Sequence, residues 1–106
     1  MKIVKLYKEL AYDKKEYVLS KQLLRSGTSI GALTRESEHA ESKADFIHKL
    51  SIALKEANET DYWLELLNDT DFISSSEFNS YKNDIQEIIR LLVKILKTSK
   101  ENKAGN

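Results

Sequence analysis

The chain has 106 residues and a mass of 12.2 kDa, a size that fits a single domain able to bury about two-thirds of the surface its unfolded form exposes. Seventeen basic residues balance seventeen acidic ones, 41% of residues are hydrophobic, and there is no Cys, no Pro and only three Gly. The missing Cys excludes disulfides, thiolate metal sites and thiol catalysis and favours an intracellular setting. The scarcity of turn residues excludes an all-β chain, and the neutral total gives no sign of nucleic-acid binding.

The N-terminal stretch is amphipathic and lacks the apolar core of a signal peptide. Runs such as Leu91-Leu92-Val93 fall far short of the about 20 apolar residues that span a bilayer. A cytoplasmic location, with no membrane contact, is expected.

In chain order, Ile3, Val4, Tyr7, Leu10 and Ala11 recur at helical spacing and predict a short first helix over about residues 1–12. Asp13 followed by Glu16 has the form of a helix start, with Asp13 as the cap. A second helix over 16–40 carries Leu19, Leu23, Ser26, Ile30, Leu33, Ser37 and Ala40 on one stripe. Ser42 with Asp45 caps a third over 43–68, striped by Phe46, Leu50, Ala53, Ala57, Thr60, Leu64 and Leu67. Phe72 and Ile73, in the polar break after it, are placed to plug one end of a core. Ser74-x-x-Glu77 is a full capping box for a fourth helix over 75–99, striped by Phe78, Tyr81, Ile85, Ile88, Leu92 and Ile95, with 100–106 a frayed tail. Three long helices joined by short loops predict an all-α, antiparallel up-down-up-down four-helix bundle in one domain over 1–106. The short first helix leaves part of the core open, and an uncovered apolar face points to association.

Gly27 and Gly31 lie four apart on one helix face beside Ile30. Each costs about 1 kcal/mol against Ala inside a helix, which implies compensation by close packing within or between chains. A phosphate loop is excluded, because no Lys-Ser or Lys-Thr follows and no strand precedes. Glu36-x-x-His39 and Asp45-x-x-His48 share the form of di-iron bundle ligands but flank one turn, so they read as solvated helix-end charges and no metal or cofactor is expected. Tyr62 and Trp63 sit at or outside the core edge, where packing on a partner subunit is preferred to base stacking. Residues 1–25 and 90–106 each carry a net charge of +4 while 26–89 carry −8. Lys2, Lys5, Lys94, Lys97, Lys100 and Lys103 would form a basic pole if both chain ends meet there, while Glu36, Glu38 and Glu41 partly cancel it. No nucleophile, base and acid fall in a catalytic arrangement, so an enzyme acting on a small molecule is not expected.

Gln22-Leu23-Leu24-Arg25-Ser26-Gly27-Thr28-Ser29-Ile30-Gly31-Ala32, Glu36-Ser37, the stretch Ser42 to Thr60 and Tyr62-Trp63-Leu64 together resemble the four-helix-bundle proteins encoded in 23S rRNA intervening sequences. The likeness is specific from about Leu19 to Leu67 and follows mainly the apolar pattern afterwards. It implies a bacterial bundle without enzymatic activity that forms a ring, commonly a homopentamer. A related group of retroelement accessory proteins also forms pentamers but is basic, unlike this neutral chain. Two departures touch packing: Leu33-Thr34 replaces the family's Asn and aliphatic residue, and the first helix is shorter.

Two functions follow. In one, a homo-oligomer contacts structured RNA or a nucleoprotein through Lys2, Lys5, Arg25, Lys94 and Lys97. In the other, the ring is a protein-interaction scaffold whose lysines only solvate it, and it binds no nucleic acid; under either, Gly27, Ile30, Gly31, Tyr62 and Trp63 are the expected oligomer or close-packing interface.

Overall fold

The computed structural model describes residues 2–105, and the side chains of 2–101. Among these residues there are four α-helices and no strand: α1 (Lys2–Lys8), α2 (Val18–Ser37), α3 (Lys43–Asp69) and α4 (Ser75–Gly105), with a π-helical turn (Glu9–Asp13) closing α1. The molecule is a rod of 52 × 22 × 18 Å.

Two helix starts follow their capping residues. The Ser42 hydroxyl accepts from the Asp45 amide at 3.0 Å. At α4, Ser74 Oγ accepts from the Glu77 amide at 3.1 Å while the Glu77 carboxylate accepts the Ser74 amide at 3.3 Å, so two orphan donors are satisfied reciprocally. The start of α2 differs from expectation. Asp13 does not cap it, because the chain first closes a π turn in which the Lys14 amide reaches the Glu9 carbonyl. Lys15 then takes a left-handed φ of 55°. Glu16, outside the helix, does the capping instead: its carboxylate accepts the amides of Val18, Leu19 and Ser20 at 3.1, 3.0 and 2.7 Å.

Helix α2 therefore begins at Val18, not residue 16, and ends at Ser37, not residue 40, because the amides of Glu38 and His39 turn back onto carbonyls three residues earlier. Helix α4 runs to Gly105 where a frayed tail was expected from residue 100. Lys100, Glu101, Lys103 and Ala104 are good helix formers, and nothing before Gly105 breaks the ladder. Met1 and Asn106 lie outside the described residues.

Helices α2 and α3 pair as a hairpin about the 38–42 turn. The buried Ser26 and Thr60 hydroxyls are hydrogen-bonded at 2.8 Å, and Arg25 reaches Glu56 and Glu59. Helices α3 and α4 pair about the 70–74 turn, with the Lys82 ammonium 2.6 Å from Asp61 and 2.5 Å from Glu65. The core lies between them: Leu23, Leu64 and Leu67 are wholly buried with Ala53 and Ala57, and Ile73 plugs one end beside the half-buried Phe72. Each fully buried Leu contributes about 1.5–3 kcal/mol of transfer free energy.

Helix α1 and its π turn lie across one half of this three-helix frame. Leu6, Leu10 and Ala11 are buried, and the Lys14 ammonium donates to the Phe72 carbonyl at the far end. At the near end Ile3 sits on Gly27 and Lys2 bonds Ser80 and Asp84. Beyond that level α2 and α4 have no fourth helix over them.

Candidate functional site

Where α1 stops, a groove opens between α2 and α4. Its first compartment is a cavity of about 330 Å³ walled by Lys2, Ile3, Gly27, Gly31, Asp84 and Ile88, with Ile30, Thr60, Leu64 and Ile85 beneath. A second compartment of about 490 Å³ continues past Thr34 and Ser37 to Phe46, Leu91 and Ile95. The two share Ile30, Gly31 and Ile88, and no residue of α1 lines the second. Lys2 closes one mouth: its ammonium bonds Asp84 and lies 5.0 Å over the Tyr81 ring. Burial, and then the Glu9 carboxylate, push the Tyr81 phenol above its ordinary pKa.

The two glycines differ in role. A Cβ on Gly27 would lie 2.7 Å from Ile3 Cγ2, so close packing holds there within the chain. A Cβ on Gly31 would meet nothing within 4 Å, and that residue faces the empty groove. Ile30 is buried at its floor.

Tyr62 and Trp63 are elsewhere. They form an edge-on pair, with ring centroids 5.0 Å apart, on α3. Tyr62 is 56% exposed, whereas Trp63 is half-buried and its indole N–H donates to Glu59 at 3.2 Å. The five residues expected at contacts therefore do not form one surface.

The basic pole is not assembled. Helix α1 begins against the first third of α4, so Lys2 and Lys5 neighbour Ser76, Glu77 and Ser80. Ten residues separate Asp84, the partner of Lys2, from Lys94, about 15 Å of helix. Arg25 is held between Glu56 and Glu59 with its Nε on Gln22. Lys94, Lys97 and Lys100 are exposed and enter no ion pair among the described residues, as does Arg90. The side chain of Lys103 is outside the described set.

Glu36, His39 and His48 are exposed, and Asp45 receives the Lys49 ammonium at 3.0 Å. That bond, then the Glu41 amide, holds the Asp45 carboxyl below its ordinary pKa. Among the described residues no three His, Cys, Asp or Glu side chains gather as a metal site. Nor is any helix among them long and apolar enough to cross a membrane.

Sequence reasoning assigned Ile88 to the core stripe and did not single out Leu91. In the structure they are 38% and 57% exposed along the groove. The available signal was the width of the α4 apolar pattern, since Ile88, Leu91 and Ile95 form a second row beside Ile85, Leu92 and Leu96.

These features define a helical-bundle protein with an open apolar groove between α2 and α4. The chain belongs to the 23S rRNA-intervening sequence protein family, which it matches over residues 1–94. It is similar to a crystal structure from Bacteroides thetaiotaomicron, described as a protein of unknown function from the S23 ribosomal protein family. That match has 60% identity and a TM-score of 0.89, covering 91% of this chain and 86% of the other. No curated protein matches significantly. Neither family nor neighbour is described as an enzyme.

Proposed function

We propose that the chain is a non-enzymatic scaffold that assembles with copies of itself through the face between α2 and α4. The observation that carries this is the groove: two joined apolar compartments bordered by exposed Ile88 and Leu91, where the short α1 leaves α2 and α4 uncovered. Exposed apolar patches of this kind on a small polar domain mark contact surfaces. Light scattering on the purified chain tests it. The expected mass is a multiple of 12.2 kDa, and Gly31→Leu, which puts a side chain into the open groove, is expected to lower it. A mass of one chain at micromolar concentration would refute the reading.

A second reading, contact with structured RNA or a nucleoprotein, is favoured by Arg90, Lys94 and Lys97, exposed cations spaced along α4 that no carboxylate neutralises among the described residues. Phosphate contacts release counterions, so affinity should fall steeply with salt. Anisotropy titration of a labelled RNA hairpin at two salt concentrations tests this. Binding that fades in a Lys97→Glu variant supports it, and no binding at low salt removes it.

A further inference from the structure

We propose that an unpaired RNA strand lies along the outer seam between α3 and α4, with one base stacked on Tyr62 and its phosphates on Lys55, Arg90 and Lys97. The inference rests on the RNA reading above and adds to it the form of the RNA and the residues of α3 that meet it.

The first argument is register. Lys82 is bonded to both Asp61 and Glu65, so it lies level with the turn of α3 between them. From there each step along α4 matches one step back along α3, which sets Asn83 level with Tyr62, Arg90 with Lys55 and Lys97 with His48. Within each row of three the residues are seven apart, a drift of only about 20° per step, so each row runs nearly straight along its helix. All six side chains are exposed. Lys55 stands about 80° around α3 from Glu65, and Arg90 about 80° around α4 from Lys82, each on the side away from the buried Ala57 and Leu92. The two rows therefore flank the outer seam, on a different face from the groove between α2 and α4.

The second argument is charge and chemistry. Lys55, Arg90 and Lys97 have no ion-pair partner among the described residues, whereas the nearby carboxylates are engaged elsewhere: Asp45 by Lys49, Glu56 and Glu59 by Arg25, Asp61 and Glu65 by Lys82, and Asp84 by Lys2. Glu87 lies about 60° around α4 from Arg90, on the side away from α3. At one end of the α3 row stands Tyr62, 56% exposed, its ring braced edge-on by Trp63 with centroids 5.0 Å apart. A fixed aromatic ring in line with cations suits a single strand, because any base offers a face to stack while the backbone is met by charge. A duplex keeps its bases inside and would leave Tyr62 without a partner.

Trp63 is the chain's only Trp, so its emission reports on what happens at Tyr62. Oligoadenylate should change that emission saturably and, followed by anisotropy of a labelled strand, bind more tightly than a blunt RNA duplex of equal length. Tyr62→Ala should weaken binding about 5- to 100-fold, while Tyr62→Phe keeps the ring and should bind as the unsubstituted chain does. Lys55→Gln should lower the slope of log affinity against log salt by about 0.7. Duplex binding at least as tight, or an affinity untouched by Tyr62→Ala, overturns the single-strand seam while sparing phosphate contact on α4. No binding of either RNA at low salt overturns both.

Discussion

Gly27 and Gly31 share a helix and a face, yet the same substitution should move stability in opposite directions. Replacing a helical Gly with Ala gains about 0.5–1 kcal/mol by reducing the freedom of the unfolded chain. At Gly31 nothing within the chain opposes that gain, since the added Cβ meets open space there. At Gly27 the Cβ would lie 2.7 Å from Ile3 Cγ2 and 3.2 Å from Cγ1. Ile3 is β-branched, so its Cγ2 moves only by turning the whole side chain or shifting α1. Overpacking of this kind costs about 1–3 kcal/mol, which leaves Gly27→Ala neutral or up to about 2 kcal/mol destabilised. The two variants should differ by about 5–20 °C in Tm for a chain of this size. Thermal unfolding followed by circular dichroism, over a dilution series because association raises Tm, measures this. Ile3→Ala leaves only the 3.4 Å contact at its Cβ, so it should relieve Gly27→Ala, and the double variant should exceed additivity by about 1 kcal/mol or more. Equal shifts at the two glycines, or strict additivity with Ile3→Ala, would refute the argument that α1 ends at Gly27.

Glu16→Ala removes the acceptor of three α2 amides and should cost about 1–2 kcal/mol, read as a lower urea midpoint, whereas Asp13→Ala should change little. Asp45 has a folded pKa held below its unfolded value by Lys49 and the Glu41 amide, so its contribution is present above about pH 4 and lost as pH falls below that. Asp45→Asn should flatten that acid limb of the stability curve. Lys82 is desolvated, which lowers its pKa, but hydrogen bonds to Asp61 and Glu65 outweigh this and raise it. Its contribution should therefore be full below about pH 10 and lost on going more alkaline, and Lys82→Met should remove that dependence while destabilising at neutral pH.

Much of the frame was legible because it is set by local chemistry. The α3 stripe from Leu50 to Leu67 is buried at every expected position, since 3.6-residue periodicity reports directly on a helix with one inward face. Ser42 and the Ser74–Glu77 box announced two helix starts because the motif and its hydrogen bonds lie within four residues. The failures are tertiary. Asp13 and Glu16 both have cap chemistry, and only the π turn and the left-handed Lys15 decide between them. Gly27 and Gly31 are alike along α2 and differ by what α1 lays over them. The basic pole failed for the same reason, because α1 begins level with Asp84 instead of at the end of α4.

Zero net charge conceals a sorting of the cations. Lys2, Arg25, Lys49 and Lys82 are held by carboxylates, and Lys14 by a backbone carbonyl, at seams between elements or along a helix turn. Arg25 and Lys82 also join helices that a hairpin alone would leave free to slide. Of the cations without such partners, Arg90, Lys94, Lys97 and Lys100 lie on the second half of α4, which also carries Leu91, while Lys5, Lys8, Lys15, Lys21, Arg35, Lys43 and Lys55 are spread over the rest of the molecule. Arg90 and Lys97 occupy a different face of α4 from Leu91: they lie within about 20° of each other and roughly 100–120° around the helix from it. A copy seated on the groove beside Leu91 therefore leaves Arg90 and Lys97 facing solvent, and assembly would repeat that stripe on each subunit. Association and phosphate contact are thus compatible on one helix, and if both occur, RNA affinity should rise with oligomer formation, because a second stripe on the same particle adds effective concentration without a new contact.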